Sequence, residues 1–126
     1  MFLQTRILWR INRVVAPLTR ARGLPPTAVN AIISPVEHGV SGCTFVQYCN
    51  IYKRRGAKFA TLQVLISLSR DWYRAARAAA PEKADQRLEF AAISEAAAVA
   101  YATYVLHLDN AEELIRQEIE DRIARG

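Results

Sequence analysis

Residues 60–80 read ATLQVLISLSRDWYRAARAAA. Leu62, Leu65, Ile66, Ser69, Tyr73 and Ala76 recur at the three-and-four spacing that lines one face of an α-helix, which predicts a helix from about 57 to 80. Val64, Leu68 and Trp72 add a second apolar strip, so this helix is expected to be covered on more than one side. Its C-terminal half also carries Arg70, Arg74 and Arg77. Their spacing sets them along one face, within about 10 Å of one another on the axis. Such a row is either a solvated basic face or a docking face for an acidic partner. Asp71 is the only acid between Glu37 and Glu82, which favours the second reading.

Working outward, Pro81 opens a short polar connector, PEKADQ, before a second helix expected from about Ala84 to His107. Asp85 and Glu89 suit the positive end of its dipole. Asp109 and Glu112 form a near-capping box that predicts the start of a third helix. Ile115, Ile119 and Ile123 are its buried stripe, with Glu113, Glu118, Glu120 and Asp121 mostly on the opposite side. Upstream, Gly56 interrupts or weakens a helical run that ends in the basic cluster Lys53, Arg54, Arg55 and Lys58. Residues 23–43 hold three prolines and three glycines and read as an extended connector, with at most one helical turn around Thr27–Ile33. A connector of that length without its own core is expected to lie along another surface, which favours a subunit of a larger assembly. No alternating strand pattern is present. The expected fold is all-α: a three-helix antiparallel bundle over about 57–124, preceded by an extended, partly helical arm. The expected division is an arm and connector over 1–56 and a bundle over 57–126.

The first 22 residues carry five arginines and no acid, with Phe2, Leu3, Ile7, Trp9, Ile11, Val14 and Val15 interleaved at roughly helical spacing. That is the composition of a mitochondrial targeting segment. Either it targets the chain without being removed, or it is a basic helix lying on a partner or on an anionic bilayer. Arg6, Trp9, Arg10 and Arg13, with Lys53, Arg54 and Arg55, are the candidate contacts for an assembly or a membrane surface.

The net charge of +5 conceals an asymmetry. Residues 1–80 hold 12 Lys/Arg against two acids, and residues 81–126 hold five against ten. Of the 17 basic residues 14 are arginine, the cation suited to bidentate carboxylate and phosphate contacts. The basic part therefore expects an acidic partner, whether lipid, nucleic acid or protein. For nucleic acid the sharpest feature is the Lys53–Lys58 cluster with Tyr48, Tyr52 and Phe59. No recognition-helix or RNA-binding signature accompanies it. Cys43 and Cys49 fit no common zinc spacing and read as small packed thiols. His38 and His107 read as surface or helix-end residues, and no phosphate loop or nucleophile motif is present, so an enzyme is not expected. The most apolar stretch, Phe90 to Leu108, contains Glu95 and His107 and reads as a buried helix rather than a span.

The stretch LISLSRDWYRAAR, followed about 40 residues later by LDNAEELIRQEIEDRIAR, resembles the LYR-motif proteins of mitochondria. These are small three-helix proteins with a Leu-Tyr-Arg tripeptide near the start of the first helix. The third helix of the family typically opens with Asp-Pro, where this chain has Asp109-Asn110. Among its branches, DWYR looks most like the LYR accessory subunit of the peripheral arm of respiratory complex I. The resemblance covers roughly residues 57–125. It implies that Leu68 packs inward and that Arg70 is directed at the mitochondrial acyl carrier protein. Ser69 stands where the motif has tyrosine, with Tyr73 one turn further on the same face. Tyr101 falls near a phenylalanine that the family has in its second helix. The alternative register, Trp72-Tyr73-Arg74, restores the tyrosine but shortens the distance to Asp109 from 41 to 37 residues. The family usually has basic residues along the second helix, and this chain has none between Arg87 and Arg116.

The resemblance implies a non-catalytic accessory subunit of mitochondrial complex I on the matrix side of the inner membrane, docking the acyl carrier protein through Leu68, Ser69, Arg70, Tyr73, Arg74, Arg77 and Tyr101. It would have no cofactor of its own and would meet only the acyl-phosphopantetheine of the bound carrier. Other subunits of a large respiratory complex, and anionic lipid, are further expected partners. An LYR-type assembly factor or adaptor and a mitoribosomal or RNA-associated subunit are the alternatives. The alanines of the second helix, Ala91, Ala92, Ala96, Ala97, Ala98, Ala100 and Ala102, leave either a slot for an acyl tail or a close helix–helix contact.

Overall fold

The computed structural model describes the backbone of residues 3–37 and 42–125 and the side chains of residues 6–36 and 49–125. His38, the side chains of Cys43 and Tyr48, and those of Phe2 and Leu3 lie outside the described residues. The described chain is all-helical, in six helices: α1 (Leu3–Ala21), α2 (Pro26–Glu37), α3 (Gly42–Arg55), α4 (Ala57–Ala78), α5 (Pro81–Tyr104) and α6 (Ala111–Arg125).

The centre of the molecule is α4. From Ala60 to Ser69 every residue is buried except the half-buried Gln63. Its most extensive contact is with α5, followed by α3 and α6, with α1 and α2 touching it as well. Gly56 does break the helical run. Its φ of +91° belongs to the left-handed side of backbone space that glycine enters at no steric cost. There its amide closes α3 onto Tyr52 while its carbonyl starts α4 by accepting from Ala60.

The extended connector predicted over 23–43 is corrected: α2 runs for three turns, Pro26–Glu37. Pro26 occupies the first helical position, where the missing amide hydrogen has no partner to lose. Val29, Ile32, Ile33 and Val36 then keep a helical stripe, 0–6% exposed. Prolines and glycines outweighed that stripe in the sequence reading. The α1–α2 turn is equally definite. Gly23 (φ +77°) donates to Arg20 and Leu24 donates to Thr19, the paired bonds of a Schellman ending.

The helix expected within the first 22 residues is α1, but it is packed into the core rather than carried on an extended arm. Ile7, Ile11 and Val15 are 0–1% exposed and belong to the same hydrophobic core as α4, α5 and α6. Trp72 ties the halves together: its indole N–H donates to the carbonyl of Ile32 at 2.8 Å, and its ring meets Phe90 edge-on at 5.2 Å. Two boundaries also move. Pro81 is the first residue of α5 rather than of a connector, leaving only Ala79-Ala80 between α4 and α5. The third helix begins at Ala111, so the position before it is Asn110, whose carbonyl accepts from Leu114, and not Asp109.

Because the core takes in α1, trimming Ile11 should act like any deep cavity. Ile11→Ala is expected to lower unfolding free energy by about 3 kcal/mol, while Asn12→Ala on the exposed side should change it by less than about 0.5 kcal/mol. Denaturant melts of the two variants check this.

Candidate functional site

The predicted docking row on α4 is divided by the fold. Leu68 is 1% exposed, as the resemblance implied. Ser69 is wholly buried, and its hydroxyl donates to the carbonyl of Ala91 on α5 at 3.0 Å. A serine side chain bridges two helices only where they approach closely, and the facing alanines Ala91, Ala97, Ala98 and Ala102 are all 0% exposed. Those four therefore serve helix–helix contact, while Ala92, Ala96 and Ala100 are half-buried. Ser69 faces α5 and presents nothing to a partner, which corrects its expected role. A phenol ring would not fit in its place.

Arg70 folds over its neighbour Asp71, its Nε and Nη2 both donating to Oδ1 at 3.0 and 2.9 Å. Arg74 donates through Nη2 to the carbonyl of Arg122 at 2.9 Å, in the last turn of α6, where free carbonyls concentrate negative potential. Of the three, Arg77 is the exposed one. The arginines share a helix face but not a task, so the free row read from their spacing does not exist.

Tyr73 reaches α5 and donates its hydroxyl to Glu95 Oε1 at 3.1 Å. Burial, followed by the Glu95 charge and this hydrogen bond, pushes its ionisation up to about 12 against a small opposing pull from Arg116 and Arg22. The phenol is thus held neutral. It locks α4 to α5 and is not a free donor.

A connection that sequence reading missed is Arg122. It pairs with Glu118 at 2.8 Å, donates to the Ser67 hydroxyl at 3.1 Å and reaches the Gln63 amide oxygen, binding α6 to α4. Its α4 partners lie more than 50 residues away along the chain, so no local pattern announces them.

Among the described residues, two recesses are each lined by several cations. One, of about 470 Å³, lies between α3, α4 and α6. Ile51, Phe59, Ile66 and Ile115 line it with Arg54 and Arg55, and the Gln63, Glu118 and Arg122 network lines it too. The Arg55 guanidinium lies 4.9 Å from the centre of the Phe59 ring. The i,i+4 spacing of that pair was visible in the sequence, although Gly56 disguised it. The second, of about 340 Å³, gathers Trp9, Arg10, Arg13, Lys58, Tyr101 and Val105. It joins residues expected at a membrane or assembly surface to Tyr101, expected at the carrier. Arg6, Lys53, Arg54 and Arg55 are exposed. Among the described residues, no carboxylate lies within ion-pairing distance of Arg10, Arg13, Arg54, Arg55 or Lys58. Cys49 is a free, half-buried thiol and His107 is exposed just beyond α5. Among the described residues, no three His, Cys, Asp or Glu side chains gather as a metal site, and no helix is long and apolar enough to cross a membrane.

Compared with known protein families, characterised proteins and solved structures, the chain shows no significant match.

Two outcomes follow for the α4–α5 seam. Ser69→Tyr should overpack it and cost about 2 kcal/mol or more, against about 1 kcal/mol for Ser69→Ala, as read by chemical denaturation. Because the folded Tyr73 ionises at about 12 and the unfolded phenol near 10, its contribution is full below pH 10 and is lost as pH rises through 12. Ultraviolet titration should show a phenol ionising near pH 12, and Tyr73→Phe should remove that step.

Proposed function

We propose that this chain is a non-catalytic accessory subunit of mitochondrial respiratory complex I, on the matrix side of the inner membrane, that docks the mitochondrial acyl carrier protein. The resemblance of α4 and α6 to the LYR-motif pattern supports the family, with α4, α5 and α6 acting as its three-helix bundle. The observation that carries the docking is the recess between α3, α4 and α6. Two exposed arginines, Arg54 and Arg55, line it beside the apolar Ile51 and Phe59 and pair with no carboxylate among the described residues, the Glu118 carboxylate of the same recess being held by Arg122 and Arg125.

This arrangement suits an acidic helical protein. Carboxylates of the partner would meet the two guanidiniums in charge-assisted, bidentate bonds, while its apolar side chains cover Ile51 and Phe59. The cation–π contact holds Arg55 in place before the partner arrives, which reduces the ordering cost of binding. Arg77 adds an exposed charge on the same helix as Phe59. Arg70 and Arg74, being tied internally, would support the shape of α4 rather than touch the carrier. No cofactor of the chain itself is required; the only prosthetic group in this reading is the carrier's acyl-phosphopantetheine.

Isothermal titration of the full chain with purified mitochondrial acyl carrier protein tests the reading. Wild type should bind with a Kd of about 10 µM or tighter, and Arg54→Glu/Arg55→Glu should weaken binding by at least about 30-fold. Arg70→Glu/Arg74→Glu should instead lower thermal stability. A folded wild type that gives no binding heat overturns the docking role. Absence of the chain from the purified mature complex would overturn the accessory-subunit assignment.

A further inference from the structure

The recess on the other side of α4's first turn has a different chemistry. Arg10 and Arg13 of α1 and Lys58 of α4 meet there over an apolar wall that includes Tyr101 and Val105, and no carboxylate lines it. The Arg13 guanidinium is stacked 4.7 Å from the centre of the Trp9 ring, which fixes its plane and leaves its N–H edge for an acceptor. Lys58 stands in the first turn of α4, whose amide end adds partial positive charge. At the nearby end of α5 two of the terminal carbonyls are already taken, Tyr101 by the amides of Val105 and Leu106 and Ala102 by that of Leu108. Their negative potential is therefore partly neutralised.

The surroundings indicate which anion. Trp9 is 53% exposed, and Tyr104 and Leu108, at the same end of α5 as the recess, are 77% and 40% exposed. Exposed tryptophan, tyrosine and leucine beside arginine and lysine match the interfacial zone of a bilayer, where ring bodies enter the acyl boundary and cations meet headgroups. A free inorganic anion would gain nothing from those apolar groups. An acidic protein would need to match a recess too small for a helix.

We propose that this recess binds the phosphate headgroup of an anionic phospholipid and seats the α1–α5 face of the protein on a membrane leaflet. The mode differs from that of an ordinary amphipathic helix. The apolar stripe of α1, Ile7, Ile11 and Val15, is spent in the protein core, so α1 cannot lay that stripe into the bilayer. It presents instead the opposite side, on which Arg6, Trp9 and Arg13 are exposed. Attachment is then electrostatic and salt-sensitive, with Trp9 as a shallow anchor. The proposal uses residues distinct from the carrier-docking recess, so either can fail without the other.

Vesicle sedimentation of the full chain provides the test. It should bind vesicles made of equal parts phosphatidylglycerol and phosphatidylcholine, and not phosphatidylcholine alone. Arg10→Gln/Arg13→Gln/Lys58→Gln should lower the partition coefficient by about a hundredfold. Lys83→Gln/Arg116→Gln/Arg125→Gln, which removes the same charge elsewhere, should lower it by less than about tenfold. Circular dichroism of both variants confirms folding. In a Trp72→Phe background, Trp9 is the sole tryptophan, and its emission should shift to the blue on anionic vesicles. Equal losses in the two triple variants, no blue shift, or thermal stabilisation by inorganic phosphate without vesicle binding would each overturn the proposal. So would binding of single-stranded RNA through Arg10, Arg13 and Lys58 without vesicle binding.

Discussion

The structure is organised by the apolar circumference of α4. A helix that hides nearly every residue from Ala60 to Ser69 cannot lie on the edge of a layer; it must be surrounded. Five other helices touch it, and each contact leaves its mark on side-chain chemistry. Where α5 comes closest, only serine and alanine fit, so Ser69 bridges directly to a backbone carbonyl. Where α6 packs, Arg122 gathers Gln63, Ser67 and Glu118 into one network. Where α2 crosses, Trp72 spans the gap with a ring contact on one side and a hydrogen bond on the other.

That enclosure decides which cations remain available. Arg70 meets the carboxylate of Asp71 beside it and Arg74 the Arg122 carbonyl of α6, and an inward pairing costs less than leaving a half-buried charge unmet. Arg70 and Arg74 accordingly turn inward. At the periphery, Arg10, Arg13, Lys58, Arg54 and Arg55 form no ion pair among the described residues, the Glu118 near the α3–α4 junction being taken by Arg122 and Arg125, and they keep their charge for something outside the chain. The two recesses that result face different partners for a physical reason. One has a floor broad enough for apolar side chains between two charges. The other is a small, three-cation cradle beside exposed interfacial residues.

The N-terminal segment shows how composition and packing diverge. Five arginines with interleaved apolar residues describe a basic amphipathic helix, and α1 is one. Composition cannot say what covers the apolar side. In the fold the answer is the protein itself, since Ile11 and Val15 are completely buried. A segment that reads as something to be laid on a surface is therefore part of the core, with only its charged side turned outward.

Periodicity in the sequence was enough to establish that the chain is helical, that α4 is covered on several sides and that Ile115, Ile119 and Ile123 face inward, while it left open whether Gly56 breaks or only weakens the helical run. These are local properties: the i, i+3, i+4 spacing of apolar side chains and the conformational range of glycine act over a few residues. Net charge by segment likewise located the basic half. Tertiary structure alone decided that α2 is a full helix, that α1 completes the core, that Ser69 is a seam residue and that the arginine row of α4 is divided. Several of these depend on distant partners, such as the Ala91 carbonyl for Ser69, 22 residues away, or the Arg122 carbonyl for Arg74, 48 residues away. Spacing along a helix sets the direction of a side chain, but only the neighbour it meets determines whether that side chain is used inside the protein or left for a partner.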